Sequence, residues 1–89
     1  MPSPVMVTVR YWAAAKEAAG LAEEQVRATT LAEALTLLRA RHADRPRFAP
    51  VLAMCSVLID GDPVGRRDPA SVSLREGACV EVLPPFAGG

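Results

Sequence analysis

Residues 5–12 of the chain read VMVTVRYW, a stretch in which apolar side chains recur at every second position. The set that would face a core consists of Val5, Val7, Val9 and Tyr11. A period of two residues is typical of a β-strand with one buried face. The sequence therefore predicts that the domain opens with a strand and that Trp12 points away from the buried face.

A second alternating stretch, residues 78–83, lies near the other end of the chain and predicts the final strand. Its outward set includes Leu83, on the same side as Trp12. Residues 24–28 are a weaker strand candidate, expected to pair with the first strand. Residues 54–60 form a strongly apolar strand candidate, and the glycine and proline of residues 60–63 favour a turn that leads into a short return strand from Val64.

The main helix is predicted to begin at Thr30-Leu31-Ala32-Glu33, which matches a capping box. In that motif the Thr30 hydroxyl accepts from an N–H of the first turn, and the Glu33 carboxylate reaches back to the N–H of the cap residue itself. Apolar residues then follow at helical spacing, namely Leu31, Ala34, Leu35 and Leu38. A shorter helix is predicted over residues 12–19, because Gly20 is a common residue just past a helix end.

The segment after the main helix is predicted to hold only a short turn around Phe48, because Pro46 and Pro50 interrupt a helix. The order of elements predicts an α+β chain with a β-grasp, ubiquitin-like fold. This fold has a mixed sheet of about five strands, one main helix packed across it and a short second helix. A ferredoxin-like fold would need a second long helix before the last strand, and residues 63–77 show no such pattern.

The composition narrows the possible functions. The 89 residues carry ten basic and ten acidic side chains, for a formal net charge of +0, so neither nucleic acid nor an anionic membrane is an expected partner. We expect a cytoplasmic protein, because no secretory leader or apolar run of about 20 residues is seen. Cys55 and Cys79 are predicted to be reduced, buried thiols. With His42 as the only histidine, we expect no metal site and no tightly bound cofactor.

The last six residues, 84–89, read PPFAGG and are predicted to form an extended flexible tail after a domain over residues 1–83. The two prolines hold the departing chain extended, and glycines lack the side chain that would stop them threading a narrow channel. A terminal carboxylate is ionised at neutral pH and could attack the α-phosphate of ATP to give an acyl adenylate. The alternative is a frayed chain end without function.

From Val7 onward the sequence resembles the MoaD/ThiS sulfur-carrier family, and within it the small subunits of molybdopterin synthase. The opening VTVRYWAAAKEAAG at residues 7–20 and the closing VLPPFAGG at residues 82–89 carry the resemblance. The resemblance implies that an adenylating enzyme, consuming ATP, activates the carboxyl of Gly89 and that a sulfur donor system converts it to a thiocarboxylate. It further implies that this sulfur passes to cyclic pyranopterin monophosphate, forming the dithiolene of molybdopterin.

The same resemblance implies a role for each part of the surface. Gly89 would carry the adenylate and then the sulfur. The residues inserted into a partner would be Phe86, Ala87 and Gly88, and those that bind partners would be Trp12, Lys16 and Leu83. No catalytic side chain is expected outside the tail. The implied partners are the adenylating enzyme, the sulfur donor system and the synthase large subunit, in a heterotetramer of two small and two large subunits.

Two alternatives stay open on the sequence. The first keeps the carrier chemistry but delivers sulfur to cysteine or thiamine thiazole synthesis. The second is a ubiquitin-like modifier, whose tail is joined to a target lysine, or a non-catalytic interaction module. Isopeptide-linked adducts would favour the modifier, whereas a passive module would show no ATP-dependent activation.

Overall fold

A computed structural model describes residues 3–85 of the chain. Its elements, in chain order, are β1 (Val5–Tyr11), α1 (Ala13–Ala19), β2 (Glu23–Ala28), α2 (Leu31–Arg41), α3 (Phe48–Met54), β3 (Ser56–Ile59), β4 (Asp62–Pro63) and β5 (Cys79–Leu83). A short 3-10 turn, Pro69–Ser71, lies in the loop before β5.

The five strands form one mixed sheet in the order β2-β1-β5-β3-β4. β1 pairs antiparallel with β2 and parallel with β5, while β3 pairs antiparallel with both β5 and β4. The first and last strands of the chain are therefore neighbours near the centre of the sheet. This arrangement confirms the predicted β-grasp fold and the predicted pairing of the first two strands.

The core lies between one face of this sheet and the helices. Alternate strand residues turn inward, so that Val7, Val9, Val80 and Val82 are all but completely buried. The α2 helix buries the stripe formed by Leu31, Ala34 and Leu38 against them, with Leu35 packed at the margin. The helical spacing of the sequence thus identified the core face of α2.

The N-terminus of α2 is capped nearly as predicted. The Thr30 Oγ1 accepts from the Glu33 backbone N–H at 3.2 Å. The Glu33 carboxylate, however, accepts from the N–H of Thr29, at 2.9 Å, and not from that of the cap residue. Thr30 forms an isolated β-bridge with Ser73, and its extended backbone turns the N–H of Thr29 towards the first helical turn.

Helix α3 replaces the short turn that was predicted around Phe48. Pro50 is its third residue, within the first turn, where a backbone N–H has no partner inside the helix and a proline is therefore tolerated. Because α3 continues to Met54, β3 begins at Ser56, two residues later than predicted. The return strand was predicted to begin at Val64 but is shifted, because β4 ends at Pro63 and Val64 is a buried residue after it.

The two cysteines are free thiols but are only half-buried, so the prediction of buried cysteines was wrong. Cys55 lies between α3 and β3, where its Sγ donates to the Val51 carbonyl at 3.1 Å. Cys79 pairs across the sheet with Thr8, and alternation turns it away from the core that buries Val80. Burial raises the pKa of both thiols, so neither is an activated nucleophile.

A polar cluster joins the end of α2 to the first two strands. The Glu24 Oε2 accepts from the Tyr11 hydroxyl at 2.6 Å and lies 2.6 Å from the His42 Nε2. Arg41 donates from one nitrogen to the Glu24 Oε1 at 2.9 Å and to the Gln25 carbonyl oxygen at 2.7 Å. His42 therefore has a structural role.

The cluster keeps Glu24 charged although its side chain is only 8% exposed. Burial by itself would raise the pKa of this carboxyl, but the hydrogen bonds from Tyr11, Arg41 and His42 outweigh it and the pKa lies below its ordinary value. Burial, and then the Glu24 carboxylate, raise the pKa of Tyr11 far above its ordinary value. Tyr11 therefore remains a neutral donor to Glu24 throughout the physiological range.

Replacing Glu24 by glutamine should lower the free energy of unfolding by about 2 kcal/mol, because hydrogen bonds to a charged group are lost from a buried site. The effect should depend on pH. The folded-state pKa of Glu24 lies below its unfolded value, so its contribution is present above the unfolded pKa and is lost as the pH falls through the folded one. Urea unfolding at a series of pH values measures both effects.

Glu23→Gln is the matched control, because the neighbouring Glu23 side chain is 55% exposed and forms a long ion pair, with 3.7 Å between its Oε1 and the Arg10 Nη2. It should change the unfolding free energy little, as exposed ion pairs contribute at most about 1 kcal/mol. If Glu24→Gln were as stable as the unaltered protein at neutral pH, the structural role of the cluster would be disproved.

Candidate functional site

The tail leaves the domain at one end of the central strand pair. β5 ends at Leu83 and is followed by Pro84 and Pro85, the last residues that the structure describes. Since β5 runs parallel to β1, the end of β1 lies beside this exit. The backbone N–H of Trp12 donates to the Val82 carbonyl at 3.1 Å, which fixes Trp12 next to the start of the tail.

The outward face of the sheet presents a mixed surface at this exit. Arg10 of β1 lies opposite Glu81 of β5, and Leu58 of β3 flanks Glu81 on the other side. Leu83 lies opposite Ser56 and is half-buried. Charged and apolar groups therefore alternate around the point where the tail begins.

Trp12 is the large aromatic side chain of this surface and is 44% exposed. Its indole Nε1 donates to the Glu81 Oε2 at 3.0 Å. The backbone carbonyl of Trp12 accepts from the N–H of Ala15 at 3.0 Å, because Trp12 is the N-cap residue of α1. Backbone and side chain are thus each held by separate hydrogen bonds.

The backbone directly after Trp12 is strained. Ala13 has a φ of 49°, in the left-handed region that an L-residue with a Cβ rarely adopts. Such strain persists where the surrounding structure imposes it, and it is concentrated at functional sites. Here the strain lies at the sharp change of direction from β1 into α1, next to the exposed indole.

Lys16 is exposed on α1 and lines an open groove together with Trp12, Leu21 and Ala22. The structure therefore brings Trp12 and Lys16 to one groove. Leu83 is not among the residues lining it and lies instead on β5, beside the tail. The three predicted partner-binding residues surround one end of the sheet without forming a single contact cluster.

The predicted tail residues Phe86, Ala87, Gly88 and Gly89 lie outside the described residues. Sequence reasoning missed Glu81 as the indole's hydrogen-bond partner. The alternation of residues 78–83 already placed Glu81 on the same face as Leu83, but the contact with Trp12 depends on the parallel register of β1 and β5. The strain at Ala13 left no signal in the sequence.

Over residues 3–85, no His, Cys, Asp or Glu side chains come together in a group of three that could hold a metal ion. Within the same part of the chain, no helix has both the length and the apolar character needed to cross a membrane.

Comparison with known proteins identifies a family. The ThiS family profile matches residues 9–89, which include Trp12 and the complete tail. No curated protein matches the sequence.

Three solved structures show the same fold. The small archaeal modifier protein 1 of Methanosarcina acetivorans superposes with a TM-score of 0.80 at 21% identity, covering 97% of this chain and 98% of that chain. Urm1 of Trypanosoma brucei gives a TM-score of 0.69 at 19% identity, with 100% of both chains covered. A complex of subunits 1 and 2 of molybdopterin-converting factor from Helicobacter pylori contains a chain with a TM-score of 0.66 at 26% identity, covering 96% of this chain and 100% of that chain.

Replacing Ala13 by glycine should raise the free energy of unfolding by about 0.5–1 kcal/mol. Release of left-handed strain of about 1–2 kcal/mol should exceed the additional chain entropy that glycine loses on folding, about 0.5–1 kcal/mol. Chemical denaturation measures the change.

Ala14→Gly provides the control for Ala13→Gly, because Ala14 is the next residue of α1 and has no positive φ. This change should destabilise the protein by up to about 1 kcal/mol, as glycine does inside helices. Equal losses of unfolding free energy in Ala13→Gly and Ala14→Gly would show that Ala13 is not strained.

Proposed function

The chain belongs to the ThiS family, a family of ubiquitin-like sulfur carriers, and from that membership we propose that it carries sulfur as the small subunit of molybdopterin synthase. The observation that carries the proposal is that the family match runs through to residue 89 and so includes the terminal Gly-Gly. A tail of this composition, leaving beside an exposed tryptophan, suits delivery of the chain end into another protein.

The proposed chemistry takes place at the carboxyl of Gly89. A carboxylate oxygen attacks the α-phosphorus of ATP in the adenylating enzyme, and pyrophosphate leaves. Hydrosulfide supplied by the sulfur donor system then attacks the acyl carbon, AMP leaves and a proton is released, so that the product is a thiocarboxylate. The thiocarboxylate sulfur then bonds to cyclic pyranopterin monophosphate, and water cleaves the acyl–sulfur bond, which leaves the sulfur on the pterin and regenerates the carboxylate. Two such transfers complete the dithiolene.

The domain contributes binding, since its own side chains supply neither acid nor base in this scheme. We propose that Trp12, Leu83 and Lys16 contact the partners, while residues 86–89 enter the partner's active site. The large-subunit partner is supported by the Helicobacter pylori structure, which is a complex of subunits 1 and 2 of molybdopterin-converting factor. We further propose, as the family resemblance implies, that the complete synthase is a heterotetramer of two small and two large subunits.

A second function is favoured by another observation. A relative with the same fold, at a TM-score of 0.80, is named a small archaeal modifier protein. In a modifier, the activated Gly89 carboxyl would be attacked by a lysine amine of a target, forming an isopeptide bond. The family membership is also compatible with a carrier that serves thiamine thiazole or cysteine synthesis. All three functions share the activated terminus and differ in the acceptor.

Incubation with an adenylating enzyme, ATP and a sulfur source should replace one oxygen by sulfur in the carboxy-terminal tryptic peptide, residues 76–89. This peptide contains neither Met nor Trp, and alkylation of Cys79 beforehand leaves the terminal carboxyl as the site of exchange. Mass spectrometry of the intact protein and of this peptide measures the change.

Deletion of Gly89 is the control and should abolish the exchange without changing the unfolding curve. No exchange in the full chain, with an adenylating enzyme that is active on another carrier, would refute the carrier proposal. Lysine-linked adducts in extracts, without sulfur transfer to cyclic pyranopterin monophosphate, would instead support the modifier.

Replacing Trp12 by alanine should weaken binding to the large subunit about tenfold or more, because large buried aromatic anchors dominate interface energies. Calorimetric titration measures the affinity. Leu37→Ala is the matched control, since Leu37 is a similarly exposed apolar residue on α2, 40% exposed, and should have little effect. Unchanged binding of the Trp12 variant would exclude Trp12 from the interface.

A further inference from the structure

The hydrogen bond between Trp12 and Glu81 connects residues that are 69 positions apart in the sequence. Glu81 is half-buried on β5, two residues before the strand ends at Leu83, and is the cross-strand partner of Arg10 on β1. Its carboxylate is thus placed where the tail leaves the domain. A carboxylate accepts a stronger hydrogen bond than a neutral oxygen does, which makes it an effective partner for the indole N–H.

An exposed tryptophan would ordinarily sample several side-chain rotamers, and binding would then have to select one of them. Immobilising a side chain on binding costs about 0.5–1.5 kcal/mol. In this chain the backbone of Trp12 is already fixed by its bond to Val82 and by the turn into α1. The bond to Glu81 adds the restraint that the backbone cannot provide, because it acts at the far end of the side chain.

We propose that Glu81 is a positioning residue that holds the Trp12 indole in one orientation beside the tail, so that a partner protein meets a preformed anchor. This inference rests on the proposed function, in which partners dock at Trp12. It adds a specific task for a carboxylate that the carrier chemistry itself does not use.

The two carboxylates that flank Arg10 allow a matched comparison. Glu23 of β2 and Glu81 of β5 are both cross-strand partners of Arg10, but in the structure only Glu81 bonds the indole. Replacing either residue by alanine removes one negative charge from the same sheet face. An effect through the indole should appear for Glu81 alone, whereas an effect of net charge should appear for both.

The first measurement is made on the free protein. Trp12 is the only tryptophan in the chain, so two signals report on this one side chain. They are the long-wavelength tryptophan band of the near-ultraviolet circular dichroism and the fluorescence anisotropy excited where tyrosine does not absorb. Glu81→Ala should reduce both signals, while Glu81→Gln, which keeps a hydrogen-bond acceptor, should retain most of each. Glu23→Ala should leave both unchanged. Equal indole signals in the unaltered protein and Glu81→Ala would overturn the proposal.

The second measurement is the affinity for the molybdopterin synthase large subunit of the same organism. Glu81→Ala should bind about three- to tenfold more weakly, the range that corresponds to immobilising one side chain on binding. Glu81→Gln and Glu23→Ala should bind within about twofold of the unaltered chain. A freed indole with unchanged affinity would overturn the docking role of Glu81.

Trp12→Phe tests whether Glu81 acts through the indole N–H, because phenylalanine keeps an aromatic ring but has no N–H to donate. In the Trp12→Phe background, Glu81→Ala should not weaken binding further. If it weakened binding as much as it does in the unaltered chain, Glu81 would act without the indole. If Glu81→Ala fails to fold, Trp12→Phe alone tests the proposal, because it removes the donor N–H and leaves Glu81 in place; it should bind the large subunit more weakly than the unaltered chain, and unchanged binding would overturn the proposal. If the unaltered chain does not bind the large subunit, the proposed function fails and the docking role with it, while the circular dichroism still reports the orientation of the indole.

Discussion

The parallel pairing of β1 with β5 is the constraint on which the rest of the molecule depends. It joins the two ends of the domain at the centre of the sheet, where Val9 and Val80 become neighbours in the core. The same register sets Trp12 beside Val82 and thus fixes the point at which the tail leaves. A single strand pairing therefore produces both the hydrophobic core and the surface from which the chain end is presented.

Stability and the proposed partner binding depend on different parts of the fold. The cluster around Glu24 connects α2 to β1 and β2 through hydrogen bonds that are internal to the domain. The side chains of Trp12 and Glu81 bond each other on the outward face and are not part of the hydrophobic core. In the proposed function, the docking surface can therefore be adapted to its partners while the fold stays constant.

Local patterns predicted most of the fold. Alternation identified β1 and β5, and the capping box identified the beginning of α2, because these signals arise between residues close in sequence. The helix around Pro50 was missed because proline usually interrupts helices and is tolerated only in the first turn. The bonds from Glu24 to His42 and from Trp12 to Glu81 were missed for another reason, since each joins segments that only the tertiary fold brings together.

Both edges of the sheet are unsuited to pairing with a further strand. At one edge, Arg41 occupies the Gln25 carbonyl of β2 with a side-chain hydrogen bond. At the other, β4 has only two residues, one of which is Pro63 and has no N–H to offer. Natural sheets use such charged, short and proline-bearing edges to avoid aggregation. The consequence is that association through backbone strand addition is disfavoured, so the proposed partners would be contacted through side chains, and such contacts can be formed and released without a change in the sheet.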